Sequence, residues 1–154
     1  MAIAISMKPK VIIADEPTSA LDVVVQKRII ETLQDVQKEL DAAIILVGHD
    51  MGLMAQTVDR LGVMYAGRLA EISPIRETLI APQHPYTRML IESLPAVTEK
   101  KPLRGIPGLA PQLLNLPTGC AFHPRCPHVF DRCIEETPEL RSTEKGRAAA
   151  CHLV

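Results

Sequence analysis

The sequence predicts an α/β fold, and three observations carry that reading. Residues 11–14, Val-Ile-Ile-Ala, form an unbroken apolar run that stops at Asp15. A second run, Ala42 to Val47, stops at Gly48-His49-Asp50. Between them Val25, Ile29, Leu33, Val36 and Leu40 recur at helical spacing. Runs of continuous rather than alternating apolarity read as strands buried on both faces, as in a parallel sheet. Strand, helix and strand with short joints make a right-handed parallel βαβ unit.

Each element has its own boundary signals. Pro17 has no N–H to donate, so the first strand ends near it. The intervening helix turns Gln26, Lys27, Gln34, Asp35 and Lys38 to water. A short helix is expected from Met51 to about Val58. Residues 61–65 and 68–72 read as a hairpin joined through Ala66-Gly67. Two further helical pieces fall at 74–80 and 85–93, the second opened by Pro85. Prolines at 95, 102, 107, 111 and 117, with Gly105, Gly108 and Gly119, then mark an extended connector and place a domain boundary near residue 95. No internal repeat is visible.

Composition narrows the function. The 154 residues carry a net charge of −1, with 17 Lys and Arg scattered along the chain, which argues against a nucleic-acid partner. Aromatic content is 3% with no tryptophan, so stacking on bases or sugars is not a theme. The longest apolar run falls far short of the ~20 residues of a membrane helix, and the N-terminus lacks a signal-peptide pattern. The expected location is cytoplasmic. All four cysteines, Cys120, Cys126, Cys133 and Cys151, lie in the last third. In a reducing compartment such a group reads as a metal or cluster site before it reads as disulfides.

In an open parallel sheet, ligands sit beyond the carboxyl ends of the strands. Asp15 and Glu16 end the first strand and His49 the second, so on neighbouring strands they emerge roughly ~5 Å apart at one edge. Adjacent residues of a strand point opposite ways, and the two acids therefore divide their work. One carboxylate can help hold a hard cation. The other can accept a hydrogen bond from an attacking water, as phosphoryl transfer requires. A strand ending in Asp-Glu is otherwise common, and a lone His49 reads as a loop histidine.

The longer string decides. "IADEPTSALD", followed 26 residues on by "GHD", resembles the Walker B, D-loop and switch-histidine segments of ABC-transporter ATPases. The resemblance implies that Asp15 supports Mg²⁺ through water, that Glu16 polarises the water attacking the γ-phosphate of ATP, and that His49 contacts that phosphate. Ser19, Ala20, Leu21 and Asp22 would form the D-loop, which reaches toward a second ATPase subunit. A P-loop, G-x-x-x-x-G-K-[ST], occurs nowhere in the 154 residues, nor do the Gln-bearing loop and the Ser-Gly-Gly signature. The chain therefore reads as the C-terminal part of a P-loop ATPase layer. Alone it is expected to bind ATP poorly and to leave a sheet edge unprotected.

The cysteine spacing, C-x5-C-x6-C-x17-C, differs from the tight pairs of common zinc modules. Four thiolates can hold Zn²⁺ or an iron–sulfur cluster, and four ordinary buried cysteines are the plain alternative. His123, His128 and His152 are substitute ligands. "HPYTRMLIESLP", "IPGLAP" and "GCAFHPRCPHVFDRC…ACHL" resemble the C-terminal extension of oligopeptide/dipeptide (and nickel) importer ATPases. This resemblance covers the whole chain. It implies residues 1–94 as the ABC ATPase part, and residues 95–154 as an irregular Cys-rich extension. In the extension, Cys120, Cys126, Cys133 and Cys151 would ligate a [4Fe–4S] cluster, with Zn²⁺ as the alternative. The function implied is ATP hydrolysis driving peptide uptake, beneath transmembrane permease subunits on the inner face of the membrane. His84 and Tyr86 are expected to pack and to start a helix. The competing readings are a non-catalytic metal-binding interaction module and a DNA-repair ATPase of the wider superfamily. The cysteine tail and near-neutral charge disfavour the latter.

Overall fold

The computed structural model describes residues 5–94, 105–144 and 146–154. The chain separates into two compact units, one ending at Thr57 and the other running from Val58 to Val154. The boundary expected near residue 95 falls at the start of residues 95–104, outside the described residues.

The first unit is the expected βαβ arrangement. Strand β1 (Val11–Asp15) pairs parallel with β2 (Ala43–Val47), in a register running from Val11↔Ala43 to Asp15↔Val47. Helix α1 (Val23–Leu40) connects them, and α2 (Met51–Thr57) follows β2. Asp22 starts α1 by accepting from the Val24 and Val25 N–H groups, each at 3.0 Å. Asp41 ends it in the left-handed conformation, φ 49°, with its N–H returned to Gln37 O. The core holds Ile12, Ile30, Leu33, Ala42, Met51 and Met54.

Two expectations need correction here. The apolar runs predict strands buried on both faces, yet Val11, Ile13, Ile45 and Val47 are 51%, 68%, 52% and 45% exposed. With period-2 alternation the opposite face takes Ile12, and nothing among the described residues covers this one. The helical stripe holds at Ile29, Leu33, Val36 and Leu40 but departs from the sequence reading at its start. Val25 is exposed, while Gln26, placed on the wet side, is half-buried and donates to Thr18 O at 3.2 Å.

The second unit opens with the hairpin β3 (Arg60–Tyr65) and β4 (Arg68–Pro74). Ala66 and Gly67 turn it with φ of 49° and 77°, the left-handed pair that a two-residue hairpin requires. Helices α3 (Ile75–Ile80) and α4 (Pro85–Glu92) follow, then a 3₁₀ turn at His123–Arg125 and the short α5 (Asp131–Glu135). The extension is not wholly irregular. Strands β5 (Arg141–Ser142) and β6 (Ala148–Ala149) complete a four-stranded antiparallel sheet ordered β3-β4-β6-β5. Both tyrosines and one phenylalanine gather beside it: Tyr65 and Tyr86 at 4.7 Å between ring centroids, and Phe122 at 5.1 and 5.4 Å from them.

A buried carboxylate ties this unit together. Glu71 of β4 is fully buried; its oxygens accept from Gln83 N–H at 3.0 and 3.1 Å and from His84 N–H at 2.9 Å. Arg147, just before β6, stands 3.7 Å away and also donates to Ala81 O. One acid thus links the hairpin, the start of α4 and the tail.

Candidate functional site

At the carboxyl edge of β1 and β2 the chain makes an abrupt turn. Glu16 N–H still donates to Val47 O at 2.9 Å, extending the ladder by one rung. Its φ of 43° then lies in the left-handed region, which costs a non-glycine residue of order 1–3 kcal/mol. Ser19 N–H closes the turn on Glu16 O at 3.1 Å, and the Gln26 bond to Thr18 O pins the loop from α1. On the other strand Asp50 caps α2 by accepting from Leu53 N–H at 3.0 Å, which fixes the backbone beside His49.

The outcome is that Glu16 and His49 meet. Glu16 Oε1 lies 3.4 Å from His49 Nδ1, a long contact between two solvent-exposed side chains. Both line a pocket with Ser19, Gln26, Asp50 and Met54. Asp15 is exposed at the end of β1 and is not among the residues lining that pocket. Asp22 serves as the cap of α1. Of the five residues expected at this edge, three therefore share a pocket and two flank it. Sequence reasoning missed Gln26, whose signal was a polar residue placed directly after the exposed Val25.

The four cysteines converge in the second unit. Cys120, Cys126, Cys133 and Cys151 line one pocket, together with His84, Phe122, His123, His128 and His152. All four are free thiols. Cys120 N–H donates to Cys133 O at 2.8 Å, which draws the two loops together. Gly119 makes that approach possible: a Cβ there would fall 2.4 Å from Cys133 O, and its φ is +67°. His152 Nε2 sits 2.9 Å from Glu136 O, and His123 Nδ1 3.0 Å from Cys120 O. Burial pushes the Cys120, Cys126 and Cys151 thiols up, and neighbouring cysteines push each of them further. A soft cation would reverse both effects, since a coordinating thiol is deprotonated outright. The donor set thus fits a thiophilic metal or cluster. That fit is one of donor chemistry: among the described residues, no group of three or more His, Cys, Asp or Glu side chains is placed to hold a metal ion.

Comparison with known proteins places these two pockets in context. The family description "Oligopeptide/dipeptide transporter, C-terminal region" matches residues 70–133. Across 153 residues, 99% of this chain and 47% of the other, the sequence is 42% identical to the dipeptide transport ATP-binding protein DppD of Escherichia coli K12. Over nearly its whole length the chain is similar to peptide ABC-transporter ATP-binding proteins. Other peptide-transport ATP-binding proteins match to a similar degree. Oligopeptide transport ATP-binding protein OppD of Salmonella typhimurium is 43% identical over 98% of this chain and 45% of its own. AppD of Bacillus subtilis is 40% identical over 99% and 47%. The chain spans about half the length of the curated relatives it matches. Among solved structures, cbiO1 of Clostridium perfringens, titled as part of the ABC transporter complex cbiONQ, is 36% identical, covering 49% of this chain and 30% of that one, with a TM-score of 0.45.

The segment matched to the peptide-transporter family contains His84-Pro85-Tyr86, and here the structure gives these letters a physical job. His84 is buried at the start of α4, and its Nδ1 accepts from Tyr86 N–H at 3.0 Å. Pro85 takes the first helical position, where no N–H is needed. Capping requires a neutral imidazole. Burial lowers the His84 pKa from 6.5 to about 4, against the opposing pull of the Glu71 carboxylate. The unfolded chain takes up this proton near pH 6.5 and the folded chain does not. Stability is therefore complete above about pH 6.5 and drains as the pH falls toward about 4, by roughly 3 kcal/mol. In His84→Asn, which can still cap the helix, urea midpoints should fall less steeply between those pH values. Parallel curves for the two proteins would remove this role from His84.

Proposed function

We propose that this chain is the C-terminal portion of an ATP-hydrolysing subunit that powers peptide uptake. The observation that carries the reading is the meeting of Glu16 and His49 over one pocket, at the carboxyl edge of two parallel strands, within a string matching peptide-transporter ATP-binding proteins. In this reading Glu16 accepts a proton from the attacking water, and His49 donates to the γ-phosphate. Asp15, an exposed hard oxygen donor at the strand end, holds magnesium through water. The bound cation screens phosphate charge. Ser19 and Asp22 present the D-loop to a second ATPase subunit. Residues 1–94 form the ATPase portion and residues 95–154 the extension.

The assembly sits on the inner face of the cell membrane under permease subunits. No helix among the described residues is long and apolar enough to cross the membrane. The four-cysteine pocket would hold a [4Fe–4S] cluster, with zinc as the alternative. A second reading, a metal-binding interaction module without catalysis, draws support from the gathering of all four thiols in a single pocket of the second unit.

Disruption of the coding sequence tests the leading reading. The strain should lose growth on short peptides as its source of a required amino acid, while the free amino acid restores growth. Undiminished peptide uptake in the disrupted strain would favour the module.

A further inference from the structure

Arg125 closes the 3₁₀ turn that runs between Cys120 and Cys126, and it reaches away from them to a different part of the chain. Its Nε donates to Pro107 O at 2.9 Å, Nη2 to Ile106 O at 3.1 Å and Nη1 to the Tyr65 hydroxyl at 3.2 Å. Its stem lies against Gly108, where a Cβ would come within 3.3 Å of Arg125 Cγ. Residues 106–108 are thus laid over one side chain. Little else fastens this stretch by burial, since Leu109, Leu113 and Leu114 just beyond it are 93%, 70% and 103% exposed.

The turn itself is set by three short-range bonds: His123 N–H to Cys120 O, Arg125 N–H to Phe122 O and Cys126 N–H to His123 O. A guanidinium fork has rigid geometry, and its hydrogen bonds weaken steeply once they bend. Whatever fixes Cys120 and Cys126 also fixes the base of that fork.

We propose that Arg125 is a latch: a thiophilic metal centre on the four cysteines locks the Cys120–Cys126 turn and so holds residues 106–108 against the fold, and its loss frees them. The latch rests on the four-cysteine reading given above. Metal binding contributes ordering free energy to the chain that carries its ligands. By linkage, a closed latch strengthens metal binding by the same factor.

The test uses the 154-residue chain, prepared metal-free, loaded with Zn²⁺ alone, or reconstituted anaerobically with Fe²⁺ and sulfide. Bound metal is measured in every sample, and subtilisin cleavage between residues 105 and 114 is timed. Loading by either source should slow cleavage about tenfold, the factor that corresponds to ~1.4 kcal/mol. Arg125→Ala should take up metal yet be cut at the fast rate in both states. Tyr65→Phe, which removes one of the three bonds, should fall between. A loaded wild-type chain cut as fast as the metal-free one overturns the latch and leaves the cysteine site standing. Slowing that survives in Arg125→Ala removes Arg125 from the coupling. A wild-type chain that takes up neither metal overturns the cysteine site and the latch together.

Discussion

Replacing Glu71 by alanine should cost the second unit about 3–5 kcal/mol, the usual penalty for breaking a buried charged pair. The substitution strands Gln83 N–H and His84 N–H and leaves the Arg147 guanidinium without its carboxylate. Glu71→Gln keeps the shape and one accepting oxygen, so it should lose less, while still surrendering the charge that Arg147 faces. The readout is specific, because the chain has no tryptophan and both tyrosines, Tyr65 and Tyr86, lie in this unit. Urea unfolding followed by tyrosine fluorescence therefore reports this unit alone. At roughly 4–8 °C per kcal/mol for a unit of this size, the thermal midpoint should drop far enough to leave the alanine variant unfolded at ordinary growth temperatures. A loss below about 1 kcal/mol would show that Arg147 and the two amides find other partners.

Changing Glu16 to glutamine should preserve nucleotide binding in an assembled ATPase containing these residues, yet lower turnover at least about a hundredfold. Glutamine keeps the volume and one carbonyl oxygen, so the strained turn at φ 43° and its bonds to Val47 O and Ser19 N–H remain. What disappears is the negative charge that, in the proposed role, draws a proton from water. Tightly bound, unhydrolysed ATP measured by single-turnover quench would support the role. Turnover within a few fold of wild type would assign activation of the water elsewhere, with His49 the next residue to change. The contact from Glu16 Oε1 to His49 Nδ1 is long at 3.4 Å, and under the proposed role it should tighten once substrate is bound.

The βαβ unit was legible because three independent signals coincide on it. Two continuous apolar runs give the strands, the spacing of Val25, Ile29, Leu33, Val36 and Leu40 gives the helix, and Pro17 gives the first strand's end. The hairpin was legible because Ala66-Gly67 is short and Gly67 adopts positive φ without cost. Burial was not legible in the same way. An apolar run records which side chains could be covered, whereas cover is supplied by other elements, and one face of β1 and β2 has none among the described residues. Strands β5 and β6 were invisible because two residues cannot display a period, and Ala148-Ala149 carries no alternation at all. Glu71 was overlooked for a related reason. An acid inside a strand reads as the wet face of a hairpin unless its partners are known, and those partners, Gln83, His84 and Arg147, all lie 12 or more residues away from it in sequence.

At the candidate site, the pairing of Glu16 with His49 followed from strand adjacency. The convergence of all four cysteines could not follow from spacing alone, because Cys151 is brought home by the pairing of β6 with β4. The geometry around Gly119 depends on a carbonyl from α5 that no local pattern announces.

The placement of β6 has a consequence for biosynthesis. Ala148 and Ala149 form an interior rung of the sheet, between β4 and β5, although they are made long after β4 leaves the ribosome. Until they emerge, the nascent chain carries β4 with an open hydrogen-bonding edge that any other extended segment can claim. The closing step of assembly is therefore reserved for a two-alanine stretch. A stalled ribosome or a premature stop a few codons earlier would release a product with most of its mass and none of its closure.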